Sequence, residues 1–173
     1  MYRYIALLRG INVGGHKKLP MAELRTLLES LGFSEVQSYI QSGNVVFSSE
    51  REVSSEVISN AIEAKYGWHV PVLLITGSVI KKILKDCPFP QEEKEKSYFA
   101  LLFKPPSTED LEITRSYNFP DEEFYITTKC IYLYCSAGYG RAKTGGNFFE
   151  KNLRVTITSR NYRTMIKLLE MAG

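Results

Sequence analysis

Metal-binding and disulfide-forming residues are scarce in this chain: three cysteines and two histidines stand among 173 residues. Cys87, Cys130 and Cys135 cannot all pair, and an odd spacing puts Cys130 and Cys135 on opposite faces of any strand they share, so reduced structural thiols are expected. There is no Cys-x-x-Cys pair, and His16 and His69 alone cannot complete a structural zinc site. No metal and no cofactor is expected. A serine nucleophile elbow, G-x-S-x-G, is absent too. The carboxylates Glu92, Glu93, Glu95, Asp121, Glu122 and Glu123 fall in polar stretches, which leaves no buried acid–base pair to propose. His69, between Trp68 and an apolar run, reads as packed at a strand start. No apolar run approaches the roughly 20 residues needed to span a bilayer. The opening "MYRYIALLRG" has an apolar core of about five residues, short of the roughly 7–15 of a secretory signal. The expected address is the cytosol, with no membrane partner.

What is present is an ordinary globular composition, 44% hydrophobic and 24% charged. The net charge of +3 is unevenly spread. Residues 1–25 carry five lysines and arginines against one glutamate, residues 137–173 carry seven against two, and the stretch between them is acidic. Both ends are therefore basic.

Hydrophobic periodicity orders the elements. "YRYIALLR" reads as a buried strand, and "PMAELRTLLESLG" as a helix with Pro20 at its first position and Gly32 beyond its end. "VQSYI" and "NVVFSS" form a hairpin around Gln41-Ser42-Gly43-Asn44. A helix from about Val53 to Lys65 and a strand at 70–76 follow. The order β-α-β-β-α-β is the ferredoxin-like arrangement. After a helix at about 78–85 the order repeats: strand 97–103, a short helix, the hairpin "EFYITT"/"IYLYCS", a helix in "GGNFFEKNL", the strand "RVTIT", and a C-terminal helix "SRNYRTMIKLLEMA" capped by Ser159. The expected fold is α+β: two tandem ferredoxin-like halves with antiparallel sheets, 1–76 and 87–173, joined by a helix at 77–86, plus the C-terminal helix. The acidic "QEEKEKS" at 91–97 reads as a solvated loop.

The segment "RGINVGGHKKLP", residues 9–20, holds the main candidate site. Gly10 and Gly15 have P-loop spacing, but His16 replaces its lysine and Lys17 its Ser/Thr, and G-x-G-x-x-G fails at Asn12 and Val13. A glycine-rich loop between strand and helix still offers main-chain amides to an anion, with Lys17 and Lys18 adding charge. The competing reading is a turn in which Gly14 and Gly15 simply adopt positive φ. A second basic loop, 136–151, carries Arg141 and Lys143. Taking the first and third strands of each half as parallel neighbours puts the two loops at analogous sheet ends, and a two-fold packing of the halves then gathers both around one cleft. In the last helix Arg160, Arg163 and Lys167 recur at i, i+3, i+7, with Arg160 in the first turn.

"LLRGINVGG", "HKKLPM", "YIQSGNVVF" and the C-terminal Arg-Asn-aromatic segment are together similar to the bacterial family known as domain of unknown function 1697. The resemblance covers essentially the whole chain. It implies two ferredoxin-like halves and no known activity. Its hallmark positions correspond to Arg9, Gly10, Asn12, Gly14, Gly15, Lys18, Gln41, Ser42, Gly43, Asn44, Arg160, Asn161, Thr164 and Lys167 here. Two departures are Tyr162-Arg163 after Arg-Asn, where the family has Trp, and "RAKTGG" around Lys143.

The functional expectation is a small phosphorylated or carboxylated ligand. Gly14, Gly15, Lys17 and Lys18 hold it, Arg160 makes a bidentate contact, and Gln41 and Asn44 orient it; Arg9, Asn12, Lys143, Asn161, Arg163 and Lys167 complete the candidate set. The sequence assigns no reaction and no oligomeric state. The alternative is RRM-like nucleic-acid binding, with Tyr132 and Tyr134 on one strand face for stacking, although the RNP1 pattern is missing.

Overall fold

A computed structural model describes residues 1–173, the surroundings of Gly146 excepted. The fold is α+β, with two four-stranded antiparallel sheets and seven helices. The chain divides into two compact units, Met1–Lys82 with Lys167–Gly173, and Ile83–Ile166.

Unit 1 runs β1 (Tyr2–Leu8), α1 (Met21–Ser30), β2 (Ser34–Tyr39), β3 (Asn44–Ser49), α2 (Ser55–Tyr66), β4 (Val72–Ile75) and the start of α3 (Gly77–Lys85). Its sheet has the order β2-β3-β1-β4. Apolar residues at helical spacing turn Leu24 and Leu28 of α1 and Ile58 and Ile62 of α2 onto the sheet, where they meet Ala6, Leu8, Val45 and Phe47, all buried. Burying each such side chain contributes about 1.5–3 kcal/mol. Gly67, at φ 78, ends α2 in the left-handed region. The C-terminal residues join this unit: Arg3 donates to the Met171 carbonyl at 3.1 Å while also binding Glu35 and Ser48.

Unit 2 continues with α4 (Gln91–Lys94), β5 (Tyr98–Leu102), α5 (Thr108–Arg115), β6 (Glu122–Ile126), β7 (Cys130–Cys135), α6 (Gly146–Leu153), β8 (Ile157–Asn161) and the start of α7 (Tyr162–Ala172). The sheet order is β6-β7-β5-β8. Ile126, Ile131, Leu133, Phe149 and Leu153 form the core against the helices. Cys130 is buried, and none of the three cysteines forms a disulfide.

Several expectations change. First, β1 pairs with β3 antiparallel, as β5 does with β7. The loop after a first strand and the loop after a third strand therefore leave opposite ends of their sheets, and loops 9–20 and 136–145 do not occupy analogous positions. Second, 91–97 is not all loop: Gln91–Lys94 makes one helical turn with Pro90 as its N-cap. Third, the last strand lies further along than "RVTIT". β8 matches β5 from Leu102↔Ile157 to Tyr98↔Asn161, and five residues of ladder pairing draw Ser159, Arg160 and Asn161 out of the helix. Arg160 is thus a strand residue, and the helical stripe with Arg163 and Lys167 does not exist. Fourth, Asn161, not Ser159, caps α7, its Oδ1 accepting from the Thr164 amide at 2.9 Å. Pro20 also moves by one position, serving as the N-cap of α1.

Candidate functional site

The segment after β1 folds into a small hairpin of its own. Val13 and His16 form an isolated antiparallel bridge, with the His16 amide donating to the Val13 carbonyl at 3.1 Å. Gly14 and Gly15, at φ 59 and 77, fill the two central turn positions that require a left-handed backbone. Below them the Asn12 amide donates to the Lys17 carbonyl. Gly14, Gly15, His16 and Lys18 are exposed. No hydrogen bond within the chain engages the Gly14 or Gly15 amides among the described residues.

Asn12 organises this loop. Its Oδ1 accepts from the Leu19 amide at 2.8 Å, while Nδ2 donates to the carbonyls of Leu19 at 2.9 Å and Gln41 at 2.8 Å. One side chain thereby ties the hairpin both to the entry of α1 and to the β2–β3 turn. Asn12 and Lys17 are themselves left-handed, at φ 55 and 47. For non-glycine residues such conformations cost on the order of 1–3 kcal/mol and persist only where the surroundings enforce them. The Lys17 ammonium donates to the His69 carbonyl at 2.6 Å. The Arg9 amide donates to the Pro71 carbonyl at 3.0 Å. β4 runs beside β1, so its N-terminal approach lies against the loop.

The turn beneath is equally constrained. Gly43 is buried at φ 83, its carbonyl accepts from the Leu8 amide at 2.8 Å, and a Cβ there would stand 2.7 Å from Leu8 Cβ. Asn44 is fully buried and spends both donors of its amide on the Tyr39 carbonyl and Ser42 Oγ. Asn44 therefore shapes the turn from within, while Gln41 is exposed. α1 begins with no side-chain cap, so the first-turn amides face outward. The opposing Glu23 carboxylate is occupied: it accepts from the Tyr66 hydroxyl at 2.5 Å and lies 3.8 Å from Lys65 Nζ. Burial, and then Glu23, push the Tyr66 phenol up to about 12.

Arg9, Asn12, Gly14, Gly15, Lys17, Lys18 and Gln41 thus gather at one end of the first sheet. Sequence reasoning missed a neighbour. His69, expected to be packed, has a 62% exposed side chain, with Nδ1 3.3 Å from Glu63 Oε2 and 3.4 Å from Ser59 Oγ. The signal lay in the strand order, which seats the start of β4 beside the end of β1.

The remaining candidates belong to unit 2 and to α7. The loop before α6 already holds an anion of its own: the Glu122 carboxylate accepts from the Lys143 amide at 2.5 Å, the Thr144 amide at 2.9 Å and the Thr144 hydroxyl. Desolvation raises the pKa of this carboxyl, but those hydrogen bonds and the Lys143 charge outweigh it and hold it below its ordinary range. Arg160 is 7% exposed and donates to Thr158 Oγ1 and the Ser159 carbonyl, both at 2.8 Å. Burial lowers its guanidinium to about 10. Arg163 is exposed, and Lys167 pairs with Glu170 at 3.2 Å. Tyr132 is 2% exposed with its hydroxyl on the Ile83 carbonyl, so it presents no face for a base to stack on. Among the described residues, no group of three or more His, Cys, Asp or Glu could hold a metal ion, and no helix is long and apolar enough to cross a membrane.

Residues 1–132, which include the whole glycine-rich loop and the Gln41–Asn44 turn, match the family described as "Protein of unknown function (DUF1697)". The chain belongs to this family. Among solved structures it is similar to the conserved bacterial protein SP0830 from Streptococcus pneumoniae, at 27% identity and a TM-score of 0.70 over 99% of this chain and 98% of that one. No curated protein matches it. In this member of DUF1697, "RGINVGG" and "QSGN" are joined in space by the Asn12–Gln41 hydrogen bond and by the close packing of Gly43 on Leu8 and Ile11.

Proposed function

We propose that this DUF1697 protein binds a small phosphorylated or carboxylated ligand at the hairpin of residues 12–18, in a reducing bacterial cytosol. One observation carries the reading. Asn12 is held in a left-handed conformation by three side-chain hydrogen bonds to Leu19 and Gln41, and Lys17 by the Asn12 amide on its carbonyl and its own ammonium on the His69 carbonyl, at the base of a tip whose Gly14 and Gly15 amides are left to solvent. Strain maintained by dedicated contacts is a mark of a preorganised site. Lys18 and Arg9 supply positive charge, and Gln41 supplies an amide at the rim. Each unit is read as ferredoxin-like, since both place their first strand between their third and fourth. The bacterial assignment follows the pneumococcal relative. The cytosolic one follows the three free thiols.

Thermal shift against inorganic phosphate, sugar phosphates, nucleotides and dicarboxylates tests the proposal. A ligand present at one hundred times its Kd adds about 2.7 kcal/mol of stability. At least one class should raise the Tm, and Lys18→Ala should abolish most of the rise. A flat panel, or an undiminished rise in Lys18→Ala, rejects it.

A further inference from the structure

The second sheet ends on β6, and the way this edge is left open is specific. The Thr127 amide donates to the Cys130 carbonyl and the Ser136 amide to the Asp121 carbonyl. With the register Tyr125↔Tyr132 and Glu123↔Tyr134, the backbone groups of Glu123 and Tyr125 face β7, and those of Glu122, Phe124 and Ile126 face outward. The two extremes are closed: the Glu122 amide donates to the Phe119 carbonyl at 3.2 Å, and Arg115 donates to the Ile126 carbonyl at 2.7 Å. Between them the Glu122 carbonyl, the Phe124 amide and carbonyl, and the Ile126 amide make no hydrogen bond within the chain among the described residues.

These four groups lie in a groove of about 810 Å³ whose walls include Arg115, Tyr117, Asp86 and Pro88. Arg115 ends α5 and Tyr117 lies just beyond it, on the helix-covered face toward which Phe124 and Ile126 point. Pro88 adjoins Phe89, whose ring meets Tyr125 on the opposite face at 5.5 Å. The edge is therefore flanked on both sides. Exposed sheet edges are normally blunted by charged side chains, proline or a covering segment; the charges on β6 are two glutamates, which repel an acidic strand and suit a cationic one.

We infer that β6 accepts an extended cationic peptide as a fifth, antiparallel strand. The residue opposite Phe124 would exchange two main-chain hydrogen bonds with it, and the residues two positions either side would make one each, to the Ile126 amide and the Glu122 carbonyl. Charge selects the sequence: Glu123 lines the groove and is exposed, and its carboxylate has no partner within the chain among the described residues. A lysine or arginine directly opposite Glu123 completes a cross-strand pair, and the next cationic residue on that face lies over Tyr125, whose ring is half exposed.

The probe is a fluorescein-labelled heptapeptide of alternating valine and lysine, titrated into the full chain and followed by anisotropy and amide hydrogen exchange. Saturable binding that slows exchange of the Phe124 and Ile126 amides is expected. Replacing the peptide's lysines by glutamate, N-methylating its central valine, or the exposed substitution Glu123→Lys should each weaken binding on the order of tenfold or more. Equal affinity for the acidic or N-methylated peptide would overturn the inference, as would protection at another sheet edge or no binding up to about 1 mM. Concentration-dependent protection of the same two amides without peptide would assign the edge to a second copy and overturn it as well.

Discussion

Replacing Gly43 by alanine tests whether the β2–β3 turn is a fitted part beneath the glycine-rich loop. Two costs add. A left-handed backbone penalises an L side chain by roughly 1–2 kcal/mol, and the residue stands at φ 83. The new methyl would also meet Leu8 Cβ at 2.7 Å and Ile11 Cδ1 at 3.0 Å. Leu8 Cβ is fixed to a strand in the middle of the sheet and cannot swing away, so overpacking contributes about 1–3 kcal/mol more. The expected loss is about 2–5 kcal/mol, large against a domain stability of roughly 5–15 kcal/mol. Gly15→Ala is the control. At φ 77 it has the same backbone demand with no atom within 4 Å of the added methyl, so only the conformational cost of roughly 1–2 kcal/mol applies. Urea unfolding followed by circular dichroism gives both values. A Gly43→Ala variant no less stable than Gly15→Ala, or within about 0.5 kcal/mol of wild type, would refute the argument from close packing.

Asn12→Ala removes three hydrogen bonds and leaves a β-carbon in a left-handed position, so unit 1 should lose about 2–3 kcal/mol in urea unfolding; Asn12→Gly, which relieves the backbone, should lose less. Asn161→Ala should cost about 1 kcal/mol by removing the α7 cap, and Asn161→Asp should restore most of it, both read by thermal unfolding. Glu122 gives a pH test. Its pKa is depressed in the folded protein, so its contribution is complete above the unfolded value near pH 4.3 and disappears as the pH falls through the lower folded value. Glu122→Gln should therefore be less stable than wild type by about 1–2 kcal/mol at pH 7, with the gap narrowing below about pH 4; a constant gap from pH 7 to pH 3 would contradict the assignment.

Element order was legible because helical and strand signals are clean here: Met21, Leu24 and Leu28 mark one helix face, and "VQSYI" and "NVVFSS" flank a Ser-Gly turn as a hairpin should. What failed was information carried only by pairing. Residues 159–161 have a local pattern compatible with helix, and it is the continued match to β5 beyond Ile157 and Thr158 that makes them strand and moves Arg160 into the sheet. The direction of β3 against β1 likewise follows from chain connectivity and not from composition. In the loop, the residue types were read well, yet the role of Asn12 was not. A side chain that binds Leu19 and Gln41 at once is a three-dimensional fact, and the sequence shows it only as one polar residue between Ile11 and Val13. The same holds for His69, which reaches the loop through the β1–β4 pairing.

The central claim is that residues 12–18 form a preorganised receptor for an anion. Two-dimensional NMR of the labelled full chain, titrated with inorganic phosphate and then with the best compound from the thermal panel, addresses it residue by residue. Saturable shifts centred on the Gly14, Gly15 and Lys18 amides, abolished by Asn12→Ala at a temperature where that variant remains folded, are the predicted result. Shifts confined to other parts of the chain, or shifts at these amides that survive in Asn12→Ala with unchanged affinity, would contradict it.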